Sequence, residues 1–525
     1  MRGRRAPEAA PNLPMKTLLL PTLLALGAAL VPAAGRAAAP ARPNIVFIFS
    51  DDHSLQTIGA YGARLAAFCR EQQVTPQIDR LAARGGFFPN SFCGNSLCSP
   101  SRAAILTGLH GHANGVMTLG RPIKEGLWTY PRGLRAAGYQ TAVFGKWHLG
   151  TTVPEHDEWL ILPGQGRYND PVFEGPKGER TFQGYTTDII TDLSLEWLQR
   201  RDRSKPFFLG VHHKAPHRNF IPPPRYFTWL DDVTVPEPDT LFDDYANRAS
   251  PARNQKMSIE KDMTLGSDLK VGEQYARDPA YAARNADFAR RMPAGRDLVR
   301  WKYQQYLKDY LRCVKAVDDS VGRVVAALEA AGLAQNTVVI YSSDQGFYMG
   351  EHGWFDKRWI YEESVHMPFL IAWPGVVAPG TRFEPMIQNI DYAATFVEIA
   401  GGQVPAGLHG RSFVPVLRGQ TPADWRQSIY YHYYDPGHGV AKHYGVRTAR
   451  FTLAHFHATN EWELFDNEQD PRQLRSVYAD SAYQGTVAAL KAELARLRAQ
   501  YGDSEAIAPA PKGGDGAGKR KKKGG

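Results

Sequence analysis

Four short polar clusters carry residue types that do chemistry: Asp51-Asp52, Lys146 to His148, His213 to His217, and Asp344-Gln345. Three carboxylates and an amide oxygen form an all-oxygen donor set suited to a hard divalent cation such as calcium. Lys146 and Lys357 supply charge to neutralise the oxygens of an anionic ester, and histidines in two of the clusters can move protons. Each piece alone has a plainer reading. Asp-Asp at a strand end caps a helix, "SDQG" makes a turn, and His212 and His213 serve the core. A fifth stretch, "CSPSRAAILTG" from Cys98 to Gly108, poses a different question, because a thiol meant for a disulfide has no need of Ser-Pro-Ser-Arg beside it. Cys69, Cys93 and Cys313 are too few for a disulfide scaffold; one bridge among them and buried free thiols are both open readings.

The elements that must position these clusters follow from hydrophobic patterning. "PNIVFIFSDD", "YQTAVFGKWHLG", "RSKPFFLGVHHKAPH" and "QNTVVIYSSDQG" read as strands, and "PQIDRLAARGG" reads as a helix ended by glycine. Apolar strands without alternation, separated by helices, predict an α/β fold with a mainly parallel sheet covered on both faces. Each of the four strands runs into one of the polar clusters at its C-terminal end, where open α/β sheets bind ligands, so the clusters are expected to converge. Residues from about Asp231 to Arg300, rich in charge, Asn and Pro, read as an excursion before a long helix from Trp301 that stops at Gly332. After about Gly402 the pattern changes to short antiparallel strands, "SIYYHYYD", "HYGVRTARFTLAHF" and "EWELFDNEQDPRQ", and a closing helix. This predicts a catalytic domain over 39–402 and a smaller α+β subdomain over 403–503.

The chain ends read as accessory segments. Met15 and Lys16 precede the apolar run "TLLLPTLLALGAALVPAA" and the small-residue stretch "GRAAAP", which marks 1–38 as a targeting signal and the protein as exported, periplasmic or extracellular. No other stretch is long and apolar enough to span a bilayer, so no stable membrane insertion is expected. The net charge of +9 belongs to the ends, with +4 in residues 1–38 and +5 in residues 507–525. A neutral remainder with no zinc-finger or aromatic-interleaved basic motif argues against nucleic-acid binding. The tail, 504–525, reads as a disordered basic extension.

"CSPSRAAILTG" resembles, at every signature position, the type I sulfatase motif in which Cys-x-Pro-x-Arg directs oxidation of the cysteine to formylglycine. "NIVFIFSDDH", "GKWHLG", "HHKAPH", "SDQGFYMGEHGWFDKRWIYEES" and "MPFLIAWPG" resemble that family in the same order, from Pro43 to Gly375, with a looser likeness to about Gly502. The resemblance implies an alkaline phosphatase-like fold, a large mixed, mainly parallel sheet flanked by helices with a short antiparallel sheet near the C-terminus. It also implies a formylglycine-generating maturation enzyme as partner. Cys98 would become formylglycine, whose hydrate is the nucleophile, with Pro100 and Arg102 directing the modification and Arg102 holding the product. Asp51, Asp52, Asp344 and Gln345 would bind one calcium ion together with the modified Cys98; Gln345 departs mildly from the usual Asn or His. Lys146 and Lys357 would contact sulfate oxygens, His148 would take the proton that lets the sulfated hydrate collapse, and His217 would act as acid near the leaving oxygen. A geminal diol can attack with one hydroxyl and expel sulfate with the other, whereas a thiolate would be trapped as a stable ester.

The likeness is strongest to bacterial carbohydrate sulfatases such as the N-acetylglucosamine-6-sulfatases, which implies a sulfated sugar substrate and a part in glycan degradation. His352, Trp354, His443 and Arg447, with His432 and His438, are candidates for a sugar pocket; the alternative is that these aromatic-rich segments pack the core. Two other functions remain open from sequence. One is a phosphate or phosphonate monoester hydrolase of the same superfamily, and the other is a non-catalytic glycan-binding protein if Cys98 stays unmodified.

Overall fold

The apolar runs assemble into one ten-stranded sheet in the computed structural model, which describes residues 42–150, 153 and 155–504. In chain order the strands are β1 (Asn44–Asp51), β2 (Gly86–Phe87), β3 (Gln140–Lys146), β4 (Glu158–Leu162), β5 (Val172–Gly175), β6 (Gly178–Thr181), β7 (Phe207–Pro216), β8 (Thr337–Ser343), β9 (Phe369–Ala372) and β10 (Thr381–Arg382). Across the sheet they lie β10-β2-β9-β8-β1-β7-β3-β4-β5-β6. The central five, β8 to β4, are parallel, and β9, β5 and β6 pair antiparallel at the flanks. β1, β7 and β8 are buried at every position, the signature of a sheet covered on both faces.

Alternate residues of β1 feed two cores. Val46 and Ile48 pack with α2 (Thr186–Arg200) and α3 (Gly295–Ala330), while Ile45, Phe47 and Phe49 pack with α1 (Cys98–Thr107) and α4 (Tyr392–Ile399). α3 begins six residues earlier than the pattern from Trp301 suggested, because Val299 and Tyr303 already form a buried i, i+4 stripe. The excursion over 231–300 contains short helices and turns and no strand.

Four antiparallel strands, β11 (Ser428–Tyr433), β12 (His443–Thr448), β13 (Phe451–Phe456) and β14 (Glu461–Asp466), make the second sheet. One face packs on α5 (Gln484–Tyr501) through Val446, Leu453, Leu464, Leu490 and Leu494. The other receives Trp354, Trp359 and Tyr361 from the segment after β8. This sheet and the large sheet lie within one compact unit.

All four cysteines are free and buried, which decides between the two readings left open by sequence. No described helix is long and apolar enough to cross a membrane. The targeting segment, and the tail beyond residue 504, lie outside the described residues.

Candidate functional site

Strand register brings distant carboxylates together. β1 and β8 run parallel with Ser50 opposite Ser343, so the next residues, Asp51 and Asp344, leave the sheet at the same level. Asp52 turns back with φ 69°, a left-handed conformation that Asp tolerates better than most residues, and its N–H donates to Asp344 Oδ1 at 3.0 Å. On the far side of β7, Gly145 of β3 faces His212. With φ 113° and room for no side chain, since a Cβ there would lie 1.9 Å from the His212 carbonyl oxygen, only glycine lets Lys146 follow at this point.

α1 delivers the cysteine. Pro100 sits in the first turn, where its missing N–H is not needed, and Gly108 ends the helix with φ 70°. Cys98 and Arg102, four residues apart, share one helix face. Arg102 Nε donates to Asp344 Oδ2 at 3.0 Å and Nη1 to the Lys146 carbonyl at 2.8 Å, while its guanidinium covers the Phe49 ring at 4.8 Å. Gln345 Nε2 lies 3.8 Å from Cys98 Sγ and donates to Asp52 Oδ1. Lys146 Nζ pairs with Asp51 Oδ2, and Lys357 Nζ lies 2.5 Å from Asp52 Oδ2. Lys357 is presented between two left-handed residues, Asp356 (φ 81°) and Arg358 (φ 88°), which form their own ion pair. His217 Nε2 stands 3.7 Å from Asp52 Oδ2, and its Nδ1 lies 2.6 Å from the Arg218 carbonyl. His148, also left-handed at φ 61°, is held by its carbonyl accepting from Ser99 Oγ at 2.7 Å. Non-glycine residues in this conformation are strained by about 1–3 kcal/mol each and gather where a site over-determines them.

The electrostatics are those of a buried ion cluster. Asp51, Asp52, Asp344 and Lys146 are fully buried, and Cys98 is only 2% exposed. Burial works against the charge on Asp51, but Lys146, His217 and Arg102 outweigh it and hold the carboxyl well below its usual range. Asp52 and Asp344 go the other way, raised by burial and by the neighbouring Asp51 charge. Lys357 is raised because Asp52 and its other anionic neighbours outweigh the cost of burial. Burial, reinforced by Asp51, pushes the Cys98 thiol far up, so as a thiol it is a poor nucleophile at neutral pH. His148 and His217 are both pushed well below the usual imidazole value by burial and by Lys146.

The donor set fits a hard cation. Asp51, Asp52 and Asp344 each offer an oxygen with all three within 4.8 Å of one another, and Asp51 Oδ1 and Gln345 Oε1 are buried with no hydrogen-bond partner. Asp51, Cys98 and His217 form a second such group. The soft thiol is the donor out of keeping with the carboxylates, a mismatch that an oxygen-bearing side chain at position 98 would remove.

The structure therefore gathers Asp51, Asp52, Cys98, Arg102, Lys146, His148, His217, Asp344, Gln345 and Lys357. It does not bring the four sugar-pocket candidates to an opening, since none is more than 5% exposed. His352 Nδ1 lies 3.0 Å from Asp243 Oδ2, and Trp354 Nε1 donates to Tyr245 Oη at 2.8 Å. His443 packs between Trp359, Tyr431 and Phe456 with Nδ1 at 2.8 Å from the Ala441 carbonyl. Arg447 pairs with Glu362 at 2.9 Å and covers Phe92. His432 is buried against Asp503 at 2.8 Å, whereas the partly exposed His438 stands 3.5 Å from Asp435.

Other members of the site had no sequence signal. Gln165 accepts from Lys146 Nζ at 2.6 Å, and Tyr310 Oη donates to the Asp52 carbonyl at 2.6 Å. Asn389 Nδ2 donates at 2.8 Å to Ser101 Oγ, which in turn donates to the Asp344 carbonyl. Lys214, inside a motif already singled out, is a further buried cation on this flank.

The family profile described as Sulfatase matches residues 43–402, and one described as N-sulphoglucosamine sulphohydrolase, C-terminal, matches residues 350–500. The chain is 41% identical over 495 residues to an N-acetylglucosamine-6-O-sulfatase of Bacteroides thetaiotaomicron, covering 88% of each. It is 28% identical over 436 residues to the N-acetylglucosamine-6-sulfatase of Capra hircus, covering 77% of this chain and 69% of that one. A solved structure described as a complex with its substrate D-glucosamine-2-N,6-O-disulfate superposes with a TM-score of 0.85 at 40% identity, over 89% of this chain and 100% of the other. A phosphonate monoester hydrolase of Agrobacterium radiobacter shares the fold, with a TM-score of 0.63 at 21% identity over 88% of this chain and 96% of that one.

Proposed function

This chain belongs to the sulfatase family and is a sulfuric-ester hydrolase, and we propose that it removes the 6-O-sulfate of a glucosamine residue in a sulfated glycan. The observation that carries this reading is the placement of Cys98 at the head of a buried helix, between an oxygen cluster and two buried lysines, Lys146 and Lys357. The names of the relatives at 41% and 28% identity support the 6-sulfated glucosamine. The phosphonate hydrolase likeness rests on fold alone and gives no comparable support to phosphoryl chemistry.

Cys98 acts after conversion to formylglycine, whose hydrate supplies one hydroxyl to attack sulfur and a second to expel sulfate. Asp51, Asp52, Asp344 and Gln345 would hold a calcium ion, which would supply positive charge to stabilise the sulfuryl group. Lys146 and Lys357 neutralise sulfuryl oxygens, and Arg102 orients the side chain at position 98. His148, kept neutral by burial and Lys146, is suited to receive a proton. The leaving sugar oxygen departs on the flank of His217.

Because every residue of α1 is buried, a formylglycine-generating partner would have to meet Cys98 before the chain closes over it. Export to the periplasm or beyond fits the apolar segment that begins after Lys16. The test is sulfate release by the matured enzyme from a panel of defined sulfated saccharides, with the phosphate ester of the same sugar alongside. Release from 6-O-sulfated glucosamine derivatives is expected. No release from any sulfated saccharide by protein carrying an aldehyde at position 98 would overturn the reading.

A further inference from the structure

The excursion over 231–300 supplies none of the residues of the ion cluster, yet it is clamped to the loop that leaves the site. Arg218, the residue after His217, donates to both oxygens of the buried Asp268, Nε to Oδ1 at 2.6 Å and Nη2 to Oδ2 at 2.7 Å. Asn219 Nδ2 donates to Ser267 Oγ at 2.6 Å and to the Ser267 carbonyl at 3.0 Å. Lys270 Nζ donates back to the Asn219 carbonyl and to that of Asp268, the second at 2.8 Å. A bidentate ion pair backed by these bonds to the main chain holds 266–270 in fixed register with the His217 loop.

Between the two lies a groove of about 580 Å³, a size that holds a small ligand. Asn169 and Asn219 stand on the wall shared with the site, and Ser267, Gln274, Tyr275 and Tyr281 on the wall supplied by the excursion. Its near end adjoins the ion cluster. Asn219 is two residues from His217, at most about 7.6 Å between Cα atoms, and Asn169 follows Tyr168, whose hydroxyl donates to the His217 carbonyl at 2.5 Å.

The lining has the chemistry that reads carbohydrate. Side-chain amides donate and accept at once, as sugar hydroxyls require. Half-buried Tyr275 stands edge-on to the buried Tyr281, with ring centres 5.8 Å apart, and the pair makes a rigid aromatic platform. Lys270 and Asp278 are the only charged residues of the lining, and they offset each other. The groove of about 660 Å³ beside Met292 differs in this respect, since it sets five carboxylates, Asp231, Asp232, Glu237, Asp287 and Asp297, against three cations and so repels an anionic glycan.

We propose that the groove beyond His217 is a second sugar subsite, which takes the residue glycosidically joined to the sulfated glucosamine. Its occupant is a pyranose presenting hydroxyl groups rather than a second sulfate, because the groove offers amides and an aromatic face in place of free cations. The leaving sugar oxygen departs on the flank of His217, so a chain whose sulfated residue sits over position 98 runs past Arg218 and enters the groove with its next residue. The excursion thereby extends recognition from the sulfate ester to the chain that carries it.

The proposal rests on the sulfated-sugar reading, and substrate length separates the two. The matured enzyme is assayed for sulfate release from 6-O-sulfated glucosamine as the monosaccharide and within a disaccharide, with an aryl sulfate as reference. On the disaccharide kcat/KM should be about tenfold higher, with the gain mainly in KM. Tyr275→Ala should remove that gain and leave kcat and KM on the monosaccharide and the aryl sulfate at wild-type values, whereas Tyr275→Phe should keep it. Asn169→Ala, on the opposite wall, should lower the gain without changing the monosaccharide rate, a pattern that loss of folding does not produce. Wild-type enzyme indifferent to length, or variants that slow both sugars equally, would overturn the subsite and leave the sulfated-sugar reading standing. Wild-type enzyme inert on every sulfated sugar would overturn both.

Discussion

Removing the cation should couple stability to pH in a direction fixed by the carboxylate cluster. The three aspartate oxygens lie within 4.8 Å of one another, and two like charges at that separation repel by about 3.5 kcal/mol at an effective dielectric constant of about 20. That repulsion is equivalent to two to three pKa units, about 1.4 kcal/mol each, and it acts on Asp344, which burial and Asp51 raise above its ordinary value. A carboxyl raised in the folded state stabilises the fold below its unfolded pKa of about 3.9, and this contribution disappears as pH climbs through the folded value. Chelated protein should therefore lose stability between pH 5 and 8, whereas a divalent cation replaces the proton and removes the repulsion. Unfolding a chain of 525 residues carries roughly 1 kcal/mol/K of entropy, so the gap in Tm between calcium-loaded and chelated protein should widen by about 3–4 °C over that range. Differential scanning calorimetry at pH 5.5 and pH 8, with and without chelator, measures it. Calcium titrations in buffers of different ionisation enthalpy should also show proton release at pH 7. A gap that is absent, or the same at both pH values, would refute the cluster as a proton-linked cation site.

Cys98→Ala should abolish sulfate release while leaving Tm within a few degrees of wild type, and peptide mass of active wild-type protein should show an aldehyde in place of the thiol. Lys146→Met removes a buried cation facing Asp51, and should depress kcat/KM by about 10²- to 10³-fold on sugar and aryl sulfates alike, with tighter calcium binding as Asp51 is freed. Arg447→Ala breaks a buried pair with Glu362, and should lower stability by about 3–5 kcal/mol in calorimetry. The fraction that folds should keep wild-type KM for the sugar; a raised KM in folded protein would put Arg447 back at the substrate.

How far the site could be read from sequence depended on whether its residues obeyed a local rule. β1, β7 and β8 are buried on both faces, so their apolar runs were visible, and the polar residues ending those runs had to leave the sheet at one edge. That logic brought Asp51, Asp344, Lys146 and His217 together without knowledge of register. The aromatic-rich stretches failed the same test because nothing local distinguishes an aromatic stacked on a sugar from one stacked on its neighbour. Trp354, His443 and Arg447 face Tyr245, Tyr431 and Phe92, partners supplied by other segments. Gln165 and Asn389 were illegible for a related reason, as each reaches the site from a segment with no periodicity of its own. Lys214 is the instructive case. In a regular strand, alternation would assign it to the same face as His212, which lies against Phe47 and Phe49 in the core under α1. The two extra residues in β7 break that alternation and set its ammonium over Tyr168 instead. A bulge is a relation between two strands, and the sequence of either one alone does not contain it. Lys214 thus occupies the position in "HHKAPH" where strand periodicity is least informative, between two histidines whose ring nitrogens find no partner and a proline that ends the strand.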